Sequence, residues 1–174
     1  MIEIRPAKVE DAHEIASVHV SVWREAYFGV MPQAYLESLT PDARAGAWAE
    51  RLTDPEEPTR TLVADRGGQI VGFCTVGPPR LEAPEGFGEL HTINILVTAQ
   101  HQGLGRRMMA EAARTLRDLG FSALTLSVLR DSPAGRMFYE SLGGTLSGRH
   151  MDSYDDFELP AVEYRWADLA ALLA

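Results

Sequence analysis

The sequence predicts an α/β fold, a mixed and mostly antiparallel twisted sheet with one central parallel strand pair and helices on both faces. Three observations carry that expectation. Ile93-Asn94-Ile95-Leu96-Val97 is β-branched and apolar, as a buried strand would be. After a glycine-bearing turn, Leu104, Met108, Ala112, Leu116 and Leu119 fall near one face of a 3.6-residue period, and a second apolar run, Ala123 to Leu129, follows. A strand–helix–strand crossover of this kind joins parallel strands, whereas the other strand-like runs are connected as hairpins are.

From the start of the chain, Ile2 to Arg5 alternates and stops at Pro6, which marks a first strand. Ala12, Ile15, Val18, Val22 and Ala26 mark an amphipathic helix, with Glu10, Asp11 and Glu14 near its positive end. Trp23, Tyr27 and Phe28 close it before Gly29 and Pro32 intervene. A short helix covers Pro32 to Leu39, and Thr40-Pro41-Asp42 caps a third helix running to about Leu52. Thr61 to Ala64 and Ile70 to Val76 form a hairpin around Arg66-Gly67-Gly68. The stretch from Arg80 to Gly88, rich in proline and glycine, reads as a mobile loop. Beyond the crossover, a helix from about Pro133 to Leu142 stops at Gly143-Gly144. Two tail strands, Arg149 to Tyr154 and Ala161 to Trp166, flank Asp155-Asp156.

A chain of 174 residues suits a single domain over 1–174 and can bury a core without disulfides or metal. With 45% hydrophobic and 24% charged residues it has the make-up of a soluble globule. No apolar run approaches the ~20 residues that span a bilayer, and the first residues lack a signal-peptide pattern. Cys74 is the only cysteine, which excludes an internal disulfide and fits a reducing cytoplasm. A formal charge of −9 argues against a nucleic-acid surface and favours a cationic, amine-bearing substrate. No metal partner is indicated: His13 and His19, six apart, are out of phase on a helix and read as surface or packing residues. Cys74, mid-strand and without an evident partner, reads as a small core residue rather than a nucleophile.

The turn Gln100-His101-Gln102-Gly103-Leu104-Gly105-Arg106-Arg107 has the makings of an anion site. First-turn N–H groups of a helix have no intrahelical partner, and the macrodipole puts positive charge there. Gly103 and Gly105 allow close backbone approach, and Arg106 and Arg107 add charge. A dinucleotide fingerprint would want a third small residue where Met108 stands, and a nucleotide-triphosphate loop would want lysine. The spacing Gln-x-x-Gly-x-Gly, entered from a strand and leaving into a helix, resembles the acyl-CoA motif of the GNAT superfamily of N-acyltransferases. Ile4-Arg5-Pro6-Ala7 with Glu10-Asp11, Trp23-Arg24-Glu25-Ala26-Tyr27 with Gly29, and Phe138-Tyr139-Glu140-Ser141-Leu142-Gly143 resemble other stretches of that family, so the likeness covers nearly the whole chain and its GNAT-like element order.

The resemblance implies an N-acetyltransferase that moves the acetyl group of acetyl-CoA, needed as cosubstrate without metal, onto a small-molecule or peptide amine by direct attack in a ternary complex. The main-chain groups of Gln100, His101, Gln102, Gly103, Leu104 and Gly105 would hold the pyrophosphate with Arg106 and Arg107. Those of Ile93, Asn94 and Ile95 would hold the pantetheine arm, and Ser132 and Phe138 would border it. Ser132 stands where the family often has asparagine, which removes one side-chain contact, and Gly144 stands where phenylalanine commonly follows glycine. Tyr139 matches the tyrosine that protonates the leaving thiolate. Glu89 matches a carboxylate that some members use as a base through water. By the two-residue strand period, Glu89, His91, Ile93 and Ile95 share one face, so His91 is a rival base, and neither residue need serve. Trp23, Tyr27 and the loop near Gly86 are acceptor-pocket candidates. A homodimer through the C-terminal strands also fits the resemblance. The competing expectation is an acyl-CoA-binding regulator or sensor without turnover.

Overall fold

The computed structural model describes residues 1–173. Its elements are β1 (Glu3–Pro6), α1 (Ala12–Ala26), α2 (Gln33–Ser38), α3 (Pro41–Thr53), β2 (Arg60–Asp65), β3 (Ile70–Gly77), β4 (Phe87–Ile95), α4 (Leu104–Asp118), β5 (Ala123–Leu129), α5 (Pro133–Ser141), β6 (Thr145–Tyr154) and β7 (Phe157–Trp166), with short 3₁₀ turns at Val9–Asp11, Val97–Ala99 and Leu169–Leu172. The strands form one seven-stranded sheet in the order β1-β2-β3-β4-β5-β7-β6. Every neighbouring pair is antiparallel except β4 and β5. The mixed sheet with one parallel pair is therefore the observed architecture. The central strand starts earlier than its apolar run suggests and ends at Ile95, because Val97–Ala99 turns into 3₁₀ geometry. Both tail strands are longer than their sequence patterns, since the β6–β7 hairpin pairs from Thr145 through Tyr154.

Helices cover both faces. On one, Ile15, Ala16 and Val18 of α1 and Trp48 of α3 pack on Val63, Ile70 and Phe73. On the other, the apolar stripe of α4, namely Leu104, Met108, Ala112 and Leu116, joins Leu62, Cys74, Leu90, Leu124 and Leu126. Thr40 caps α3 by accepting from the Ala43 N–H at 3.3 Å, with Pro41 at the first helical position. Two acids at the start of α1, Asp11 and Glu14, serve tertiary contacts. Asp11 accepts from both terminal nitrogens of Arg5 at 2.7 and 3.0 Å and from the Lys8 N–H at 2.8 Å. Arg5 also reaches Asp65 at 2.9 Å, tying β1 to β2 and to the entry of α1, and the guanidinium holds the Asp11 carboxyl below its usual range. Glu14 accepts from the Ile70 N–H at 2.9 Å, fixing α1 against β3.

The loop after β3, expected to be mobile, is anchored at both ends. Arg80 is held by Glu89, and the Gly86 carbonyl accepts from the N–H groups of Ser122 and Ala123 at 2.9 and 3.2 Å. A buried Glu89 that needs a cation supplies the physical reason.

His19 occupies the interior between Trp23, at 4.7 Å centroid separation, and Phe73, at 6.2 Å, and both ring nitrogens are buried without partners among the described residues. Burial lowers its pKa to about 4. The unfolded chain therefore takes up this proton first. The contribution of neutral His19 is complete above about pH 6.5 and is lost as pH falls toward about 4, up to roughly 3 kcal/mol. Urea titrations at stepped pH should show that His19→Leu loses less stability than the native chain between pH 7 and 4. Parallel acid limbs would contradict this role.

Candidate active site

The sheet contains a built-in opening. β4 and β5 pair only from Phe87 to Leu90 against Ala123 to Leu126. Beyond that, β4 stays with β3 as far as Ile95 while β5 stays with β7 as far as Leu129. A β-bulge opposite Thr75 and Val76, with His91 as the extra residue of β4, accompanies the parting. The bulge also resets the side-chain alternation. Leu90 and Ile93, three residues apart, both contact the core under α4, whereas Glu89 lies on the other face beside Thr125. The expectation that Glu89, His91, Ile93 and Ile95 share a face is thus corrected: an inserted residue breaks a period-two argument.

The bulge leaves the upper half of β4 with a free edge. The Leu96 N–H bonds the Val71 carbonyl in register with the β3–β4 ladder. In antiparallel pairing, alternate residues turn both main-chain groups to the same neighbour. Thr92 and Asn94 therefore face β3, and Ile93 and Ile95 face the opening. Gln100 donates its side-chain amide to the Ile95 carbonyl at 2.9 Å, which fixes the loop to the strand end. Of the three strand residues expected to offer main-chain contacts, Asn94 is engaged in the ladder. Its side chain donates to Thr92 Oγ1 at 2.7 Å.

At the top of the opening the loop delivers the start of α4. His101 and Gly103 have φ of 57° and 77°, and Gly103 is the N-cap, with no side chain capping the helix. The first intrahelical bond is from Arg107 N–H to the Gly103 carbonyl, so the N–H groups of Leu104, Gly105 and Arg106 are left for an anion. The two glycines differ in purpose. A side chain on Gly103 would meet nothing within 4 Å, but its left-handed φ disfavours one. A Cβ on Gly105 would come within 2.9 Å of the Phe138 ring, so Gly105 serves the packing of α4 against α5. Arg107 donates to the Ile2 carbonyl at 2.8 Å, while Arg106 is exposed. Gln102 returns its side-chain amide to the Thr98 carbonyl at 3.1 Å. Ser132 precedes α5 and makes no side-chain cap.

Below, the opening widens into a cavity of about 380 Å³ that brings together Tyr139, Glu89 and His91 with Ile93, Trp23 and Tyr27. The opposite wall comes from β5 and β6 through Ser127, Asp152 and Tyr154. Arg80 and Leu81 supply the loop's contribution, whereas Gly86 lies against Ser122 and Ala123. Tyr139 is buried, packed against Phe138, Tyr164 and Trp166 at 5.3 to 6.3 Å between ring centroids. Its hydroxyl has no hydrogen-bond partner among the described residues, and burial pushes its pKa up. Packing and chemistry are both available to this side chain.

Glu89 is 1% exposed, and Arg80 occupies both its oxygens, with the main-chain N–H at 2.6 Å and the guanidinium at 2.7 and 3.0 Å. Arg80 also donates to the His91 carbonyl at 3.1 Å. The Nε2 of His91 lies 2.8 Å from the Pro78 carbonyl, which can only accept, so Nε2 carries the proton and Nδ1 the lone pair. Burial, with help from Arg80, lowers the His91 pKa and keeps the ring neutral. Cys74 is fully buried and its thiol is pushed up to about 12 by burial, which makes it inert.

Sequence reasoning passed over Arg80, Asp152 and Tyr154. The alternation within Arg149 to Tyr154 already put Asp152 and Tyr154 on one strand face; what it lacked was the folding of β6 back beside β7. For Arg80 no local signal exists, since its partner lies in the next strand.

The fold has counterparts among known proteins. The model of the Acetyltransferase (GNAT) family matches residues 19–144. This chain belongs to that family. An uncharacterized N-acetyltransferase, YuaI, of Bacillus subtilis is 33% identical over 99% of this chain and 96% of its own length. Two crystal structures share the GNAT fold. An N-acetyltransferase from Staphylococcus aureus has a TM-score of 0.71 at 20% identity, covering 97% of this chain and 99% of its own. The PaiA N-acetyltransferase of Thermoplasma acidophilum, in complex with coenzyme A, has a TM-score of 0.69 at 20% identity, covering 95% and 99%.

Because Arg80 is the partner of a buried carboxylate, Arg80→Ala should destabilise this GNAT chain by about 1–3 kcal/mol in urea. Arg80→Lys should recover part of the loss. An alanine variant as stable as the native chain would mean that the ion pair contributes nothing to stability.

Proposed function

We propose that this chain transfers the acetyl group of acetyl-CoA to a primary amine by direct attack in a ternary complex. The observation that carries the reading is the opening between β4 and β5, lined by free main-chain groups, with an uncapped helix start above it and Tyr139 and His91 below. The family relationship supports it, as does the coenzyme A bound by the PaiA structure.

The residues present suit such a cosubstrate. The N–H groups of Leu104, Gly105 and Arg106 would hold pyrophosphate oxygens, with Arg106 adding charge. Ile93 and Ile95 would pair with the amides of the pantetheine arm as a neighbouring strand would, and His101, Gln102 and Ser132 border its path. The thioester supplies an acyl carbon open to attack by a neutral amine. Tyr139, kept protonated by its burial, is the donor toward the departing sulfur. His91 is the base we favour, because its Nδ1 carries a lone pair that no described residue engages, whereas Glu89 is committed to Arg80. Glu89 then anchors the β3–β4 loop through Arg80.

Three outcomes test the reading. Gly103→Val should weaken coenzyme A binding at least tenfold in calorimetry while the chain stays folded, since the left-handed turn that aims the helix N–H groups is lost. Unchanged affinity would remove this loop from the cofactor site. Tyr139→Phe keeps the packing area and should lower turnover by about 10²- to 10⁴-fold with coenzyme A affinity intact; full turnover would make it a packing aromatic. His91→Ala should cost more in kcat/KM than Glu89→Gln and should shift the acidic limb of the pH–rate profile. The reverse order would assign the base to Glu89, and thiol release from acetyl-CoA in no amine mixture would favour a binding protein without turnover.

A further inference from the structure

The acceptor end of the cavity has a wall that the reaction itself does not use. We propose that Asp152, with Tyr154, Tyr27 and Trp23, forms a cation subsite that selects an acceptor carrying a second positive charge besides the amine that is acetylated. The inference rests on the acetyltransferase reading for the identity of the reacting group, and on the geometry of this wall for the rest.

Two carboxylates line the cavity, and they are not equivalent. Glu89 spends both oxygens on Arg80. Asp152 enters from β6, with its side chain 31% exposed; Oδ1 lies 2.7 Å from His150 Nε2, and Oδ2 lies 3.5 Å from the Ser127 hydroxyl. The other ring nitrogen of His150 lies 3.3 Å from Glu163, which Arg165 also faces at 3.5 Å. Around Asp152 the rings make a corner. Trp23 stands at 89° to Tyr27 and 75° to Tyr154, at centroid separations of 5.2 and 6.1 Å. Asp152 adds to burial in raising the phenol pKa values of Tyr27 and Tyr154, as expected of a charge close to both rings.

A carboxylate beside aromatic rings is suited to an alkylammonium, through charge and through the ring quadrupole. Yet the nitrogen that attacks a thioester must be neutral, and a carboxylate holding it would keep it protonated. The cation recognised by Asp152 is therefore a different nitrogen of the acceptor. The sheet order agrees with this separation. β6 stands three strand spacings from β4, or about 14 Å between backbones, and Asp152 and His91 line the same cavity from these two separate strands. The ligand class that follows is a diamine or longer polyamine with an aliphatic spacer.

The test uses α,ω-diamines of three to six carbons, each beside the monoamine of equal length, at pH 8.5 and saturating acetyl-CoA. In the native chain the best diamine should exceed its monoamine at least tenfold in kcat/KM. In Asp152→Asn the ratio should fall below about threefold, mostly through KM, with the KM for acetyl-CoA unchanged. A native ratio near one, or a ratio that survives in Asp152→Asn, overturns the subsite. Calorimetry of 1,4-diaminobutane with coenzyme A present separates the two readings. Binding that weakens tenfold or more in Asp152→Asn, without acetyl transfer to any amine, upholds the subsite and overturns the acetyltransferase reading. Turnover without charge preference does the reverse, and no binding or preference for any diamine overturns the subsite.

Discussion

The one constraint on which the site depends is that β4 cannot stay paired with β5. Up to Leu90 the two strands form an ordinary parallel ladder; past it each is committed to its other neighbour, β4 to β3 and β5 to β7. A buried strand edge with nothing to bond would be costly. The opening lets such groups face a cleft instead, where, on the reading proposed above, the amides of the cosubstrate would serve as the missing strand. Interior packing stays continuous beside it, since Leu90 and Ile93 still reach the same core across the bulge. The His91 bulge therefore does two things at once: it frees the edge of β4, and it turns Glu89 to the face opposite the α4 core.

This second effect explains the charge arrangement. A carboxylate with 1% exposure has to be compensated, and Arg80 supplies the compensation from the loop that would otherwise be loosely held. The same guanidinium also reaches the His91 carbonyl, and Pro78 of that loop accepts from His91 Nε2. Loop, carboxylate and histidine are thus one hydrogen-bonded unit. The unit fixes the tautomer of His91 by leaving its Nδ1 as the ring's acceptor. Removing Arg80 would disturb the histidine as well as the carboxylate, which makes the three residues energetically coupled rather than independent.

Much of this was legible in the sequence because it is written locally. The crossover, the helix start after its glycine-bearing turn, the α4 stripe and the Thr40 cap each depend on residues within a few positions of one another. What escaped reading depends on partners far apart or on a single inserted residue. Period-two reasoning placed Glu89 with Ile93 because nothing local announces a bulge at His91. The loop from Arg80 looked mobile because its anchor sits in the next strand. Gly105 looked like a ligand-facing glycine, whereas its missing Cβ makes room for Phe138, thirty-three residues on. Asp152 and Tyr154 lay on a recognised strand face, but only the β5-β7-β6 order brings that strand to the cavity.

A chain with a net charge of −9 is an unpromising partner for the polyanionic cosubstrate proposed above, and the layout of the site would resolve the difficulty. Coulomb interactions between exposed charges fade beyond about 8–10 Å at ordinary ionic strength, so the field at each end of the opening is set by what lies close to it. At the α4 end there are three N–H groups unpaired among the described residues, the positive end of a fifteen-residue helix and Arg106. No acidic residue occupies the first turn of that helix. At the β6 end there are Asp152 and a lining of aromatic rings. The opening between β4 and β5 thus joins a positive end to a negative one. On the reading proposed above, that polarity would orient a molecule pair in which one partner is an anion and the other a cation, each at the end whose charge suits it.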